Sequence, residues 1–125
     1  MSLPLFLTIV VAGGLGAGVR FTVDGLVRSR VRTAFPWATT IINVSGSFAL
    51  GLITGVSLSG LLPQEFALVL GTGFLGGYTT FSTASYETVQ LIRQRRYASS
   101  LVSGVLMLVL SVAAAGLGFW LGGVF

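Results

Sequence analysis

"GFLGGYTTFSTASYE", residues 73–87, brings two adjacent glycines, a cluster of hydroxyl side chains and a carboxylate into an otherwise strongly apolar chain. Paired glycines weaken a helix, and threonine and serine hydroxyls compete with it for backbone hydrogen bonds. A helix broken within a bilayer would expose carbonyl oxygens that suit a small hard cation, and N–H groups that suit an anion. We therefore expect a break near Tyr78 and Thr79. The alternative is an unbroken helix whose hydroxyls bond to its own carbonyls.

The composition of the whole chain indicates a membrane protein. Of its 125 residues, 54% are hydrophobic and only 8% are charged, and the mean hydropathy is +0.95. A soluble domain carries about 25% charged residues, so this chain cannot cover a water-facing surface, and we expect a lipid bilayer around it. The sequence has no cysteine and no histidine, and its three carboxylates lie far apart. These absences argue against an enzyme, because no nucleophile–base set or metal cluster can be assembled.

Charges and prolines divide the chain into four apolar runs. Each is close to the length of about 20 residues that a helix needs to cross a bilayer. The predicted transmembrane helices cover residues 3–20, 36–62, 65–91 and 97–125, and they form a single domain, 1–125. Strands are excluded because lipid leaves their backbone groups unpaired, and a closed barrel would need many alternating segments. The predicted fold is an all-α membrane protein with four transmembrane helices.

Small residues recur every four positions on three of these helices. In lipid, such spacing lets helix backbones approach closely. The predicted packing positions are Gly14 and Gly18 on the first helix, Ser47, Gly51, Gly55 and Ser59 on the second, and Ala114, Gly118 and Gly122 on the fourth.

The positive charges lie on one side of the predicted membrane domain. All seven basic residues are arginines, and they fall in or beside the connections that follow the first and third helices. The positive-inside rule places these connections in the cytoplasm and both termini outside. Arginines at membrane ends explain the net charge of +4 without a nucleic-acid partner, and we expect none.

Three motifs, in the same order along the chain, resemble the Fluc (CrcB) family of fluoride channels. They are "GGLGAGVR" (13–20), "NVSGSFALG" (43–51) and the opening stretch. The resemblance implies a dual-topology, antiparallel dimer of four-helix subunits in the plasma membrane, with the third helix broken at midmembrane. Such a dimer conducts fluoride passively and selectively, and it exports toxic fluoride from the cytoplasm.

The resemblance also assigns residues to two kinds of site. It implies that the backbone carbonyls of Gly76 and Thr79 help to hold a structural sodium ion on the dimer axis. The fluoride pathway that it implies comprises Arg20, Asn43, Phe81, Ser82, Thr83, Glu87, Ser103 and Ser111. Hydroxyls and an amide can replace the water around fluoride, and phenyl ring edges add weak electrostatic contacts.

Two of these residues have alternative roles. An asparagine at the depth of Asn43 is either a hydrogen-bonding link between helices or a donor that lines an ion path. Glu87 is either a group at the mouth of a pore or a helix-end carboxylate paired with an arginine such as Arg93.

The chain departs from the family pattern at two places. Ala84 stands where the family has its second phenylalanine, three residues after Phe81. On the fourth helix, Ser103, Met107 and Ser111 occupy positions where the family often has a tyrosine and serines, so the tyrosine and one serine are missing. At least one pore lined by this chain would therefore be incomplete.

The partner subunit is either a second copy or a paralogue inserted the opposite way. A chain that inserts both ways needs nearly balanced charge, so the arginine bias favours a paralogue. The alternatives are a non-conducting partner subunit and a small multidrug-type transporter. The transporter would need a carboxylate in its first helix, and residues 3–19 contain none.

Overall fold

The computed structural model describes residues 1–124, and every regular element in that range is helical. This confirms the all-α fold class. In chain order the elements are α1 (Leu3–Arg30), α2 (Trp37–Leu58), α3 (Gln64–Ala67), a π-helical segment (Leu68–Leu75), α4 (Gly76–Tyr78), α5 (Ser82–Arg93) and α6 (Tyr97–Val124). We call residues 64–78 the first half of the third span and α5 its second half.

Three of these helices are long and apolar enough to cross a membrane: α1, α2 and α6. The third span contains no helix of that length because it is divided into short pieces. Large apolar side chains stay exposed along the three long helices, as suits surfaces that face lipid rather than water.

Helix α1 is ten residues longer than predicted. It begins with Pro4 in its first turn, where the missing N–H costs nothing, and the Ser2 hydroxyl accepts a hydrogen bond from the Leu5 N–H (3.3 Å). The helix continues through the polar residues after 20, where Arg28 pairs with Asp24 one turn earlier, at 2.8 Å, and adds modest support. Arg28 and Arg30 also lie in the last turn, where positive charge complements the helix dipole.

The other predicted boundaries differ by a few residues. Helix α2 ends at Leu58 rather than near 62, because Gly60 adopts a left-handed backbone (φ +82°) that terminates the helix. The third span runs from Gln64 to Arg93. Helix α6 begins at Tyr97 as predicted, and Phe125, the predicted end, lies outside the described residues.

Helix α2 packs chiefly against α6. Gly51 and Gly55 are buried against α6, and Gly118 and Gly122 are buried against α2. A Cβ atom at any of these four glycines would overlap the backbone of the other helix. The predicted small-residue packing is therefore confirmed at these positions.

Helix α1 packs against the first half of the third span, with a different set of glycines from the predicted one. Gly14 and Gly18 have open space beside them in the subunit, so their predicted packing role is wrong here. The close approaches instead involve Gly16, beside the Phe74 carbonyl, and Gly77, beside the Gly13 carbonyl. The four-residue spacing predicts the wrong face of α1, because a sequence does not show which face of a helix meets its neighbour.

The third span is broken where the opening stretch predicted. Helix α4 ends at Tyr78, and Thr79 has extended backbone angles (φ −79°, ψ 160°). Helix α5 begins at Ser82. The alternative of an unbroken helix is therefore wrong. The break is preceded by a π-helical segment that the sequence did not predict, and its Gly71 and Gly73 are buried.

Candidate functional site

An open concavity of about 690 Å³ lies between α2, the third span and α6. Its lining is mostly apolar. It brings together five of the predicted site residues: Asn43, Gly76, Thr79, Phe81 and Ser111. Ala84 and Met107, the two departures from the family pattern, also border this concavity. The break in the third span forms one of its walls.

Asn43 makes two reciprocal hydrogen bonds across the break. Its Nδ2 donates to the Thr80 carbonyl oxygen (2.8 Å), and its Oδ1 accepts from the Thr80 N–H (2.9 Å). A second contact joins Nδ2 to the Met107 sulfur at 3.2 Å. The amide therefore links α2 to the third span, as the first of its two predicted roles requires. Thioether sulfur is a weak acceptor, so the N–H that faces Met107 is the one most easily given to another acceptor.

Thr80 was not among the predicted site residues, although it borders both cavities described here. Its hydroxyl accepts a hydrogen bond from the Thr83 N–H (3.2 Å) at the start of α5. The run of hydroxyls in residues 79–83 indicates a site here, but the sequence alone does not show which of the threonines binds the backbone of α5.

The carbonyl groups of Gly76 and Thr79 lie where the helical hydrogen-bond pattern fails. In a continuous α-helix the N–H of residue i+4 donates to the carbonyl of residue i. Here the Thr80 N–H donates to Asn43 rather than to Gly76, and the Thr83 N–H donates to the Thr80 hydroxyl rather than to Thr79. Both carbonyls therefore lose the donors that a regular helix would give them.

A smaller cavity of about 130 Å³ also borders Thr80. Its lining includes Arg20 and Thr83, both predicted site residues, together with Asp24 and Thr39. The Arg20 Nε atom is buried and has no hydrogen-bond partner within residues 1–124. Buried guanidinium groups ordinarily have partners, so this cavity has spare donor capacity.

Glu87 lies in a network that joins α1, α2 and α5. The Thr39 hydroxyl donates to Glu87 Oε1, and Arg28 Nη2 donates to Oε2 at 3.0 Å. Arg28 Nε also bonds Asp24. The pairing of Glu87 with an arginine, the second of its two predicted roles, is therefore confirmed. The arginine is Arg28 rather than Arg93, and it reaches Glu87 because α1 continues past residue 20.

Ser82 and Ser103 lie outside both cavities, whereas Ser111 lies at the larger one. Ser82 is exposed and borders neither cavity. Ser103 is completely buried, and its hydroxyl has no partner within residues 1–124. Ser111 borders the larger concavity, and its buried hydroxyl is likewise unpaired among the described residues. Met107 lies between these two serines on the same face of α6 and is 8% exposed.

Phe81 presents its ring to the outside of the subunit. The residue is 85% exposed although it borders the concavity, and it follows directly on the break. Ala84, one turn further along α5, adds only a methyl group to the same wall. A phenylalanine at 84 would extend into the concavity, so its replacement by alanine leaves space there.

The Glu87 network provides a stability test. Arg28→Ala removes both charged contacts, with Glu87 and with Asp24, and should lower the melting temperature of the purified protein. Because the Arg28 side chain is 50% exposed, the loss should be about 1 kcal/mol or less. Arg30→Ala is the matched control, since Arg30 lies outside the network. Equal melting temperatures for the two variants would contradict a stabilising role for the network.

Residues 7–121 match the family described as CrcB-like protein, Camphor Resistance (CrcB). A relative from Leifsonia xyli subsp. xyli, named fluoride-specific ion channel FluC 1, is 57% identical over 117 residues, which cover 94% of this chain and 85% of the relative. A Mycobacterium bovis relative, named fluoride-specific ion channel FluC 2, is 39% identical over 121 residues, which cover 97% of this chain and 93% of the relative. A Thermus thermophilus relative, fluoride-specific ion channel FluC, is 39% identical over 118 residues, or 94% of each chain.

The relatives are named for ion conduction rather than for catalysis, which agrees with the prediction that this chain is not an enzyme. The family match extends over nearly the whole chain and includes all three motifs quoted above. The chain therefore belongs to the CrcB family, whose members include proteins named fluoride-specific ion channels.

Proposed function

We propose that the protein is a subunit of a dimeric, fluoride-selective channel of the plasma membrane that lets toxic fluoride leave the cytoplasm passively. The observation that carries the proposal is the broken third span, whose Asn43-bound backbone and exposed Phe81 ring border an open concavity. The names of the relatives supply the transported ion.

The fluoride pathway requires donors that replace water, because fluoride is small and strongly hydrated. Ser111 and Asn43 border the concavity. The Ser111 hydroxyl, which is buried and unpaired among the described residues, and the Asn43 N–H that faces Met107 would serve as donors. Phe81 can turn the positive edge of its ring toward the ion. Arg20 and Thr83, at the smaller cavity, would attract fluoride and orient it on one side of the break. Ser82, Ser103 and Glu87 complete the proposed pathway.

The chemistry of the break suits a structural sodium ion. Sodium is a hard cation that favours oxygen ligands, and Gly76 and Thr79 offer carbonyl oxygens without the helical donors they would normally have. A Cβ atom at Gly76 would meet nothing within 4 Å, so space remains beside this residue. When bound, the ion would supply positive charge that offsets repulsion between anions nearby. Two carbonyls are too few for a sodium ion, so a second subunit must supply others.

A second subunit in the opposite orientation would cover the concavity. Phe81 is too exposed for a finished ion path, and a partner subunit would enclose it. The partner is a second copy or a paralogue of this chain, and numbered names such as FluC 1, FluC 2 and FluC 3 among relatives are consistent with paralogues. We favour the paralogue because of the arginine bias. A small multidrug-type transporter is not supported, because the single acidic residue of α1, Asp24, is bound to Arg28.

The orientation of the chain tests the choice of partner. The protein lacks cysteine, so single cysteines can be introduced at Ser2, before α1, and at Thr33, after it. We expect a membrane-impermeant maleimide to label S2C but not T33C on intact cells, because the arginines keep the second site inside. Equal labelling of both variants would mean insertion in both orientations and would contradict an obligate paralogue.

A growth assay tests the transport function in cells. In a bacterium that lacks its own fluoride channel, the chain should restore growth on fluoride when co-produced with an oppositely oriented paralogue. The assay should include the chain alone. Growth with the chain alone would show a functional homodimer. Failure in both cases, with the protein present in the membrane, would contradict the proposed function or leave the chain as a non-conducting partner.

A further inference from the structure

Two side chains take backbone N–H groups that a continuous third helix would have used. We infer that Asn43 and Thr80 are positioning residues that hold the break open and so keep the Gly76 and Thr79 carbonyls available to a cation. The inference rests on the proposed function for the identity of the cation. The open state of the backbone itself follows from hydrogen bonds within the chain.

Asn43 acts on the Thr80 peptide from α2. Its Oδ1 accepts the Thr80 N–H, and its Nδ2 donates to the Thr80 carbonyl, so both polar groups of that residue are satisfied outside the helix. The Thr80 peptide is partly shielded from water, and shielded peptide groups need partners, so we expect loss of the amide to return the Thr80 N–H to its helical acceptor. That acceptor is the Gly76 carbonyl.

Thr80 acts in the same way one turn later. Its hydroxyl accepts the Thr83 N–H at 3.2 Å, and the helical acceptor of that N–H would be the Thr79 carbonyl. Threonine oxygens commonly replace a helical acceptor at a helix start. In a continuous helix, these two N–H groups would donate to the two carbonyls that the resemblance assigned to sodium.

Helix α2 also supplies the space and the support that the break needs. A Cβ atom at Gly46, one turn after Asn43, would overlap the Thr79 methyl group, so a larger residue would force the Thr79 side chain to move. The Ser45 hydroxyl lies 2.9 Å from the Tyr78 hydroxyl at the end of α4. Three positions on one turn of α2 thus contact Tyr78, Thr79 and Thr80 at the break.

The alternative is that Asn43 and Thr80 serve only as fluoride donors or as general links between helices. A donor role predicts that their removal alters fluoride flux but leaves the cation site intact. A general link predicts lower stability with no change in the response to sodium. A positioning role predicts a weaker response to sodium, together with a helical backbone at the break.

The experiment measures the melting temperature of the purified full-length protein in detergent as sodium replaces N-methylglucamine at constant ionic strength. We compare the wild type with Asn43→Ala, Thr80→Ala and Thr80→Ser. Thr54→Ala is the control, because Thr54 is on α2, bonds its own helix and borders neither cavity. The sodium midpoint is the sodium concentration that gives half of the increase in melting temperature. It should rise about 10–100-fold in Asn43→Ala and Thr80→Ala, as for the loss of groups that orient metal ligands. Thr80→Ser and Thr54→Ala should keep the wild-type midpoint.

A second readout does not depend on sodium binding. The ¹³Cα chemical shift of Thr79 should report extended backbone in the wild type and in Thr80→Ser, and helical backbone in Asn43→Ala. In a second outcome, the melting temperature of the wild type does not change with sodium while the Thr79 ¹³Cα shift of Asn43→Ala takes a helical value. That result would support the positioning role and contradict the sodium ion of the proposed function.

Two results would overturn the inference. One is a sodium midpoint of Asn43→Ala that equals that of the wild type; if Asn43→Ala does not fold, the same comparison is made with Thr80→Ala. The other is a Thr79 chemical shift that stays extended in a folded Asn43→Ala.

Discussion

Phe81→Ile is expected to reduce fluoride efflux from liposomes to the rate of protein-free liposomes. Isoleucine keeps the exposed apolar surface beside the break but lacks the positive ring edge that can contact a dehydrated anion. Phe81 is 85% exposed in the subunit and borders the concavity, so the fold of the subunit does not depend on its ring. The measurement is fluoride release recorded with a selective electrode, using the conducting dimer.

The control for Phe81→Ile is the same substitution at Phe66. Phe66 is 59% exposed and borders neither cavity, so Phe66→Ile should conduct like the wild type. Wild-type efflux from Phe81→Ile would show that no aromatic edge is needed at this position. Equal losses in the two variants would point to a general effect on folding or insertion.

Gly118→Leu is expected to prevent stable packing of α6 on α2. A Cβ atom at Gly118 would overlap the Phe48 carbonyl and crowd the Leu52 amide, so the two backbones would have to separate. Overpacking of this kind lowers the free energy of unfolding by about 1–3 kcal/mol. We expect a loss at the upper end of this range because the obstacle is backbone, which cannot move aside as a side chain can. We expect a large fall in the yield of monodisperse protein and in its melting temperature.

Gly116→Leu is the matched control, two residues earlier on the same helix. Gly116 has nothing within 4 Å of an added Cβ atom. Because leucine has a higher helix propensity than glycine, by somewhat less than the roughly 0.8–1 kcal/mol that separates glycine from alanine, Gly116→Leu should leave the melting temperature of the subunit unchanged or raise it. A Gly118→Leu variant as stable as Gly116→Leu would contradict the close α2–α6 packing.

The sequence predicts the break in the third span because its cause is local. Two glycines and a run of hydroxyls at 76–83 weaken the helix whatever surrounds it. The α2–α6 glycine positions were also predictable, since both faces carry small residues at the same spacing. The phase of packing on α1 was not predictable, because glycines at 13, 14, 16 and 18 fit more than one face and only the fold selects Gly16.

Contacts distant in sequence were the least predictable part of the candidate site. Arg28 and Glu87 are 59 positions apart, and their pairing depends on the unpredicted extension of α1. The sequence predicts a site role for Asn43, but its reciprocal hydrogen bonds to Thr80 follow only from the positions of both residues in the fold. Residue type thus indicated which groups are polar, and only the fold showed which of them bind the backbone and which face a cavity.

Ion selectivity is the central claim, and efflux from liposomes tests it most directly. The dimer, purified from the chain alone or from the chain co-produced with its paralogue, is reconstituted with either internal fluoride or internal chloride, and valinomycin balances the charge. We predict rapid fluoride release with chloride release no faster than from protein-free liposomes. Chloride release as fast as fluoride release, or no fluoride release from either preparation, would contradict the account.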